Sequence, residues 1–214
     1  MKNIVLGFLT IGIITLLGCG KGVTDADGNA YTSVEIGTQE WMVENLRTTK
    51  YSDGTPIPNI TNSDQWKIFN SGAWCHKDNE IKYDSTYGKL YNWYAVETGK
   101  LCPTGWHIPT DVEWKIFDDY LLANEHRGVE GTKLKTKSDW NSNRNEIHNN
   151  GWNGISGGFR YGDGNFYGNS GYWWSSSEFN IASAWSRNLP SYDGKINRSS
   201  LSKSYGFSIR CLKN

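Results

Sequence analysis

An excess of charge of one sign is what this sequence most plainly lacks. Lys and Arg number 22, Asp and Glu number 22, and the formal net charge is zero. Without a basic surplus there is no electrostatic footprint for nucleic acid, and without an acidic tract nothing draws in a strongly cationic partner. Long apolar runs are also missing. The one extended stretch, residues 4–17, falls short of the roughly 20 residues that a comfortable membrane-spanning helix needs. Histidine is scarce, and His76, His107, His126 and His148 are scattered without the His/Cys spacing of a zinc site. A Gly-x-Ser-x-Gly elbow, a phosphate loop and a His-Glu-x-x-His helix are all absent. The expectation is a protein with no cofactor, no metal and no catalytic residue set. Disorder is excluded as well, because 37% of residues are hydrophobic and only 21% charged. At 214 residues the chain suits one domain of ordinary size or two small ones.

Aromatic residues and glycine dominate what is present: 11 Trp, 12 Tyr and 7 Phe beside 24 Gly. That mixture suits short strands and tight turns packed around large rings, and equally a surface that holds sugar or peptide. The amino terminus reads as an export signal. Lys2 supplies a positive start, Ile4 to Leu17 forms an apolar core of signal-peptide length, and Leu16-Leu17-Gly18-Cys19 follows. The last four residues resemble the bacterial lipobox. Cleavage is expected after residue 18, with diacylglycerol joined to the Cys19 thiol as a thioether and residues 20–22 acting as a short tether. The lipid bilayer is then a partner, and the location is a membrane, with the outer membrane favoured because Gly rather than Asp follows Cys19.

Export places the other cysteines where disulfides persist. Cys75, Cys102 and Cys211 are odd in number, so at most one internal bridge forms. Cys102 opens a turn and Cys211 lies in the last expected strand. A Cys102–Cys211 bridge would fasten that strand and is preferred, with Cys75 bonded to either partner as the alternative. Otherwise Cys75, near the end of an expected helix, is a small buried thiol.

Local patterns predict an α+β fold. Asp25, Asp27 and Asn29 imitate the opening of a calcium loop, but Ala30 stands where glycine is required and Ile36 where glutamate is required, so an Asp-Gly hairpin turn is expected. Tyr31 to Ile36 and Glu40 to Val43 would pair across Gly37. Helices are expected at Ser63 to Phe69, at Tyr87 to Val96, and from Thr110 to about Asn124. The last begins with a capping box, Thr110 and Glu113, and carries Val112, Ile116, Tyr120 and Trp114, Phe117, Leu121 at helical spacing. Trp-Lys-Ile-Phe occurs at 66–69 and again at 114–117, which marks two similar helix starts. After Trp152 come short strands at 157–161, 165–167, 172–175, 182–185 and 205–212, with Asp163-Gly164 and Asp193-Gly194 as turns. They predict an antiparallel meander and disfavour a doubly wound nucleotide fold. Residues 137–150 are polar and Asn-rich, as in an exposed loop.

Several segments together resemble one family. They are Cys102-Pro-Thr-Gly-Trp-His-Ile-Pro-Thr-Asp-Val-Glu-Trp114, Ile36-Gly-Thr-Gln-Glu-Trp-Met-Val-Glu-Asn-Leu46, Tyr87-Gly-Lys-Leu-Tyr-Asn-Trp93, Gly157-Gly-Phe-Arg-Tyr161, Tyr172-Trp-Trp-Ser-Ser176 and Gly206-Phe-Ser-Ile-Arg-Cys211. In kind and order they are similar to the Fibrobacter succinogenes major paralogous domain, across roughly residues 23–214. The resemblance implies a secreted or lipid-anchored protein and names no activity. The Trp-His-Ile-Pro-Thr segment and the terminal Gly-Phe-Ser-Ile-Arg also resemble the C-type lectin-like superfamily. That implies helices in the first half and a twisted antiparallel sheet of short strands in the second.

The chemistry of those relatives does not carry over. Glu-Pro-Asn, Gln-Pro-Asp and Trp-Asn-Asp, which hold calcium and sugar in such lectins, do not occur; Trp140-Asn141 and Trp152-Asn153 are followed by Ser and Gly. The sulfatase-modifying enzymes of that fold need two cysteines near the C-terminus, and Cys211 stands alone there. His107, between Trp106 and Ile108, is expected to be a packed, hydrogen-bonded core residue. Glu178 matches a recurrent family position and is expected to satisfy buried backbone donors. Trp173 and Trp174 adjoin in a strand, so their rings face opposite sides, one toward the core and the other a candidate ligand platform. The function expected is a non-enzymatic module that holds glycan or protein. An envelope hydrolase and a structural subunit of a surface assembly are the alternatives.

Overall fold

The computed structural model describes residues 22–124, 128, 130–136, 139–140 and 150–214. The expected signal segment, Cys19, most of the 137–150 loop, His126 and His148 lie outside these. The described residues form a mixed fold of short helices and antiparallel sheets. No described helix is long and apolar enough to cross a membrane.

The chain opens with a small hairpin, β1 (Val23–Thr24) and β2 (Ala30–Tyr31). The Asp-Gly turn forms as expected. The Asp25 carboxylate accepts from the Asp27 and Asn29 amides and from the Tyr31 hydroxyl at 2.6 Å, so it closes the turn instead of facing a cation. β3 (Ser33–Ile36) and β4 (Gln39–Met42) then pair across Gly37, with Val34 opposite Trp41.

Next come α1 (Ser63–Ile68), capped by Asn62, and β5 (Trp74–His76). Cys75 thus sits inside a strand and not at a helix end. One helix was expected over 87–96; instead α2 (Asp84–Tyr87), β6 (Lys89–Tyr91) and α3 (Trp93–Val96) follow one another. Gly88 breaks the helix. It adopts φ +69°, and a Cβ there would lie 2.7 Å from the Leu46 carbonyl oxygen, so the chain passes its neighbour too closely for any side chain. Leu90 and Tyr91 gain more by pairing with Cys75 and Trp74 than local helix periodicity could offer.

β7 (Trp106–His107) leads into α4 (Asp111–Asn124). The capping box forms in both directions: the Glu113 amide donates to Thr110 Oγ1, and Glu113 Oε2 accepts from the Thr110 amide. Of the apolar residues at helical spacing, Trp114, Phe117 and Leu121 are buried, while Val112, Ile116 and Tyr120 lie on the outer face.

The second half contains the hairpin β8 (Phe159–Arg160) and β9 (Phe166–Tyr167), then the meander β10 (Gly171–Asn180), β11 (Ser183–Leu189) and β12 (Asn197–Ser202). β12 had no sequence signal, because it is a polar edge strand. The chain ends in β13 (Leu212–Lys213). The 205–212 segment is not one strand of the meander. Gly206 bridges to Arg160, Phe207 to Tyr91 and Ser208 to Trp173, before β13 enters the sheet ordered β3-β4-β13-β7. Strands therefore occur in both halves of the chain, and the two halves share a sheet.

Two large apolar clusters flank β10. One holds Trp173 with Trp41, Trp114, Phe117 and Trp152; the other holds Trp174 with Tyr91, Phe207, Ile209 and Cys211. A buried ionic network ties α4 to the meander. Arg187 contacts Asp111 and Asp118 at 2.8 Å each, and Arg198 adds a second cation to Asp111. Cys102 and Cys211 are bonded, with a sequence separation of 109, and Cys75 is a buried free thiol.

Two outcomes follow from this architecture. Loop closure of this length is worth at most about 4–5 kcal/mol. Cys102→Ser and Cys211→Ser should therefore lower the melting temperature alike, the double variant should be no worse than either, and Cys75→Ala should matter less. Non-reducing peptide maps should recover Cys102 joined to Cys211; a Cys75 disulfide would contradict the pairing. Burial alone would raise the Asp111 carboxyl, but the hydrogen bonds from Arg198 and Arg187 outweigh it, and its pKa is lowered. A carboxylate with a depressed folded pKa contributes stability above the unfolded value of about 3.9 and loses it as pH falls through the folded value. Denaturant melts of Asp111→Asn should thus show lower stability at neutral pH and a flatter decline into acid than the parent.

Candidate functional site

The structure separates the two adjoining tryptophans but exposes neither. Trp173 is 1% and Trp174 0% exposed. Trp173 Nε1 donates to Asn45 Oδ1 and Trp174 Nε1 to the Tyr91 carbonyl, both at 2.9 Å. Alternation along the strand does put their rings on opposite sides, but β10 is covered on both, so neither ring is a ligand platform. Trp140 and Trp152 are also buried.

Two other singled-out positions depart from expectation, His107 in its exposure though not in its hydrogen bonds, and Glu178 in its partner. His107 is half-exposed: Nε2 lies 2.9 Å from Glu113 Oε1 and Nδ1 2.7 Å from Asn214 Oδ1. Burial would raise the Glu113 carboxyl, yet donors from Thr110 and His107 hold it below the usual range. That carboxylate serves the helix cap. Glu178 satisfies no buried backbone donor; it is exposed and pairs with Lys203 at 3.0 Å, whose ammonium lies over the Trp93 ring. His76 lies 3.2 Å from Asp84 Oδ1, which also takes the Lys89 ammonium, and burial first and Lys89 second lower its pKa. Burial pushes the Cys75 thiol up to about 12, which makes it a poor nucleophile. Among the described residues, no group of three or more His, Cys, Asp or Glu could hold a metal ion.

Exposed aromatic surface instead gathers around the β8–β9 hairpin. Phe159 packs against Tyr161 at 5.2 Å, Tyr172 at 4.6 Å and Tyr167 at 6.1 Å, and Tyr205 lies 4.6 Å from Tyr161. Phe159 and Tyr161 are two residues apart in an extended segment, so they share a face, and the register sets Tyr167 opposite Phe159. Tyr161 is 38% and Tyr167 50% exposed. The Asp163-Gly164 turn holds the strands together, with the Asn165 amide donating to Asp163 Oδ1.

Beside these rings lies a cleft of about 490 Å³ lined by Tyr87, Asp139, Ser156, Asn169, Ser191 and Tyr192. Asn169 of its lining follows Tyr167 by two residues, which sets the cleft at the end of β9, and Tyr192 of the lining is 80% exposed. The Asp139 carboxylate accepts from the Tyr87 hydroxyl at 2.7 Å and from the Ser156 amide. Burial and that carboxylate push the Tyr87 phenol up to about 12, so the pair stays hydrogen-bonded at neutral pH. Among the described residues the cleft therefore offers hydroxyls and amides, with the Asp139 carboxylate already engaged. The alternating aromatics of 157–161 and 165–167 on either side of Asp163-Gly164 were the sequence signal for this face; the adjacent tryptophans were the more conspicuous but misleading one. A second cleft, of about 550 Å³, opens at the turn end of the β3–β4 hairpin.

The family described as the Fibrobacter succinogenes major domain matches residues 34–213. The chain belongs to this family. The match spans the disulfide, the tyrosine face and all but the N-terminal members of the two apolar clusters. No curated protein and no solved structure matches the chain.

Proposed function

We propose that this family member is a membrane-anchored, non-enzymatic binding module that holds glycan on its tyrosine face. The observation that carries it is the pair of half-exposed rings, Tyr161 and Tyr167, on a hairpin whose second strand ends two residues before Asn169, part of the wall of a cleft of hydroxyl and amide groups. Sugar rings present C–H groups on their faces and hydroxyls at their edges, so they need both surfaces side by side. The mixed α+β architecture is compatible with the C-type lectin-like resemblance, but the site sits on different chemistry: ring faces and neutral polar groups in place of calcium.

The anchor is part of this proposal. Cys19 carries the lipid, at the outer membrane, and three residues separate it from Val23. The tether then reaches at most about 14 Å, which keeps the module close to the bilayer.

A glycan array probed with the full-length chain in detergent tests the ligand. Retention of a glycan is expected, with affinity falling roughly tenfold in Tyr161→Ala and in Tyr167→Ala at little cost in melting temperature. Turnover of a substrate without retention of any glycan would favour an envelope hydrolase instead. Separately, Cys19→Ser should abolish labelling by a palmitate analogue and either release the protein from membranes or leave an uncut precursor. Normal labelling of the variant would refute the anchor.

A further inference from the structure

The cleft at the β3–β4 turn shares no residue with the tyrosine cleft and has a different character. Part of its lining is apolar, from Ile116 of α4 and Leu212 of β13. Ile116 belongs to the outer stripe Val112–Ile116–Tyr120, one helical turn apart; Val112 is 68% and Ile116 45% exposed. Apolar side chains aligned in this way at the rim of a cleft mark a contact surface.

The polar part of the lining has a definite sign. Glu35 and Glu40 stand directly opposite each other in the β3–β4 ladder, an arrangement that is destabilising for like charges. Lys213 neutralises Glu40 through an ion pair. Both Glu113 oxygens are taken by Thr110 and His107. Glu35 has no ion-pair partner among the described residues. Gln39 adds an independent mark. Its Nε2 donates to the Glu113 carbonyl at 3.0 Å, while its Oε1 is shielded from solvent with no donor in reach. A shielded acceptor without a donor is costly, and a ligand N–H removes the cost.

We propose that this cleft docks a peptide segment of a partner protein carrying a lysine or arginine flanked by apolar residues. The cation pairs with Glu35, one of its N–H groups reaches Gln39 Oε1, and the flanking side chains cover Ile116 and Val112. Charge complementarity selects the occupant. An acidic segment would face the uncompensated Glu35 across a surface stripped of water, and that repulsion rejects it. The module would then hold glycan on one face and a protein on another.

The test uses the full-length chain in detergent and fluorescence anisotropy. The probe is a short labelled peptide alternating lysine with valine, set against the same peptide with glutamate for lysine. Binding of the lysine peptide alone is expected, weakening as salt is raised. Glu35→Lys and Val112→Asp, both at exposed positions, should each weaken it roughly tenfold with no fall in melting temperature, and Gln39→Leu should weaken it as well. Tyr161→Ala should leave it unaffected. Failure of the lysine peptide to bind, equal binding of the glutamate peptide, or full affinity in Glu35→Lys would overturn the proposal. So would self-association of the chain that Val112→Asp abolishes, which would assign the groove to a second copy. None of these outcomes depends on the glycan array, so the two proposals stand or fall apart.

Discussion

Burial of the Arg210 guanidinium is the constraint on which the rest of this structure depends. Its side chain is fully buried, and no carboxylate lies within ion-pair distance among the described residues. Removing such a cation from water costs several kcal/mol, and burial pulls its pKa down to about 9, still high enough to keep it charged at neutral pH. What compensates is a set of oriented dipoles and ring faces. Nη2 donates to Asn45 Oδ1 at 2.8 Å, Nη1 donates to the Trp152 carbonyl, and the guanidinium carbon sits 3.9 Å from the Trp152 ring centroid. Every one of those partners comes from a distant part of the chain, so the charge is tolerable only when the whole domain has closed around it.

Asn45 carries that constraint outward. Its Oδ1 also accepts from Trp173 Nε1, and its Nδ2 donates to the Tyr87 carbonyl and to Ser208 Oγ. One amide thus aligns β10, α2 and the C-terminal segment. Residues 206–213 can then run between the two aromatic clusters, bridging the β8–β9 hairpin, β6 and β10 before joining β4 and β7. The disulfide to Cys102 adds a covalent hold next to Arg210. This explains how a chain with so many two- and three-residue strands stays together: the short pieces are stitched by one segment, not built into one large sheet.

The same arrangement decides which aromatics are available to a ligand. Trp173 and Trp174 are consumed by the two clusters because both faces of β10 are covered, whereas Trp185 on β11 stays half-buried beside Phe179 and Arg198. The tyrosines of β8–β9 escape because that hairpin lies at the margin, where Phe159 and Phe166 pack against the apolar clusters and the Arg160–Gly206 bridge fixes it. Arg160 fastens it from beneath: Nη2 donates to the Thr61 carbonyl at 2.9 Å and the guanidinium lies 4.4 Å from the Trp66 ring centroid. A rigid underside with half-exposed rings above is the arrangement a binding surface needs, since little side-chain freedom remains to be lost on binding.

Much of this was legible from local signals. The Asp-Gly turns, the capping box at Thr110 and Glu113, the Gly37 hairpin and the family motifs act over a few residues, and local physics sets them regardless of the rest of the chain. The Cys102–Cys211 pairing was the preferred reading because one bridge fastens the last strand. What failed to show was non-local. Gly88 looks like a helix position until Leu46 is brought against it, and β12 looks like a loop until β11 supplies its partner. Trp173 and Trp174 show in sequence only that they point opposite ways; whether either side meets solvent depends on layers contributed by residues far along the chain. The sequence by itself determined the turns, the caps, the family and the alternation of side chains, because these are properties of neighbouring residues. Tertiary structure alone decided that Trp173 and Trp174 are interior, that Tyr161 and Tyr167 face outward, and that Arg210 is held without a carboxylate among the described residues, because burial depends on what the rest of the chain places on either side.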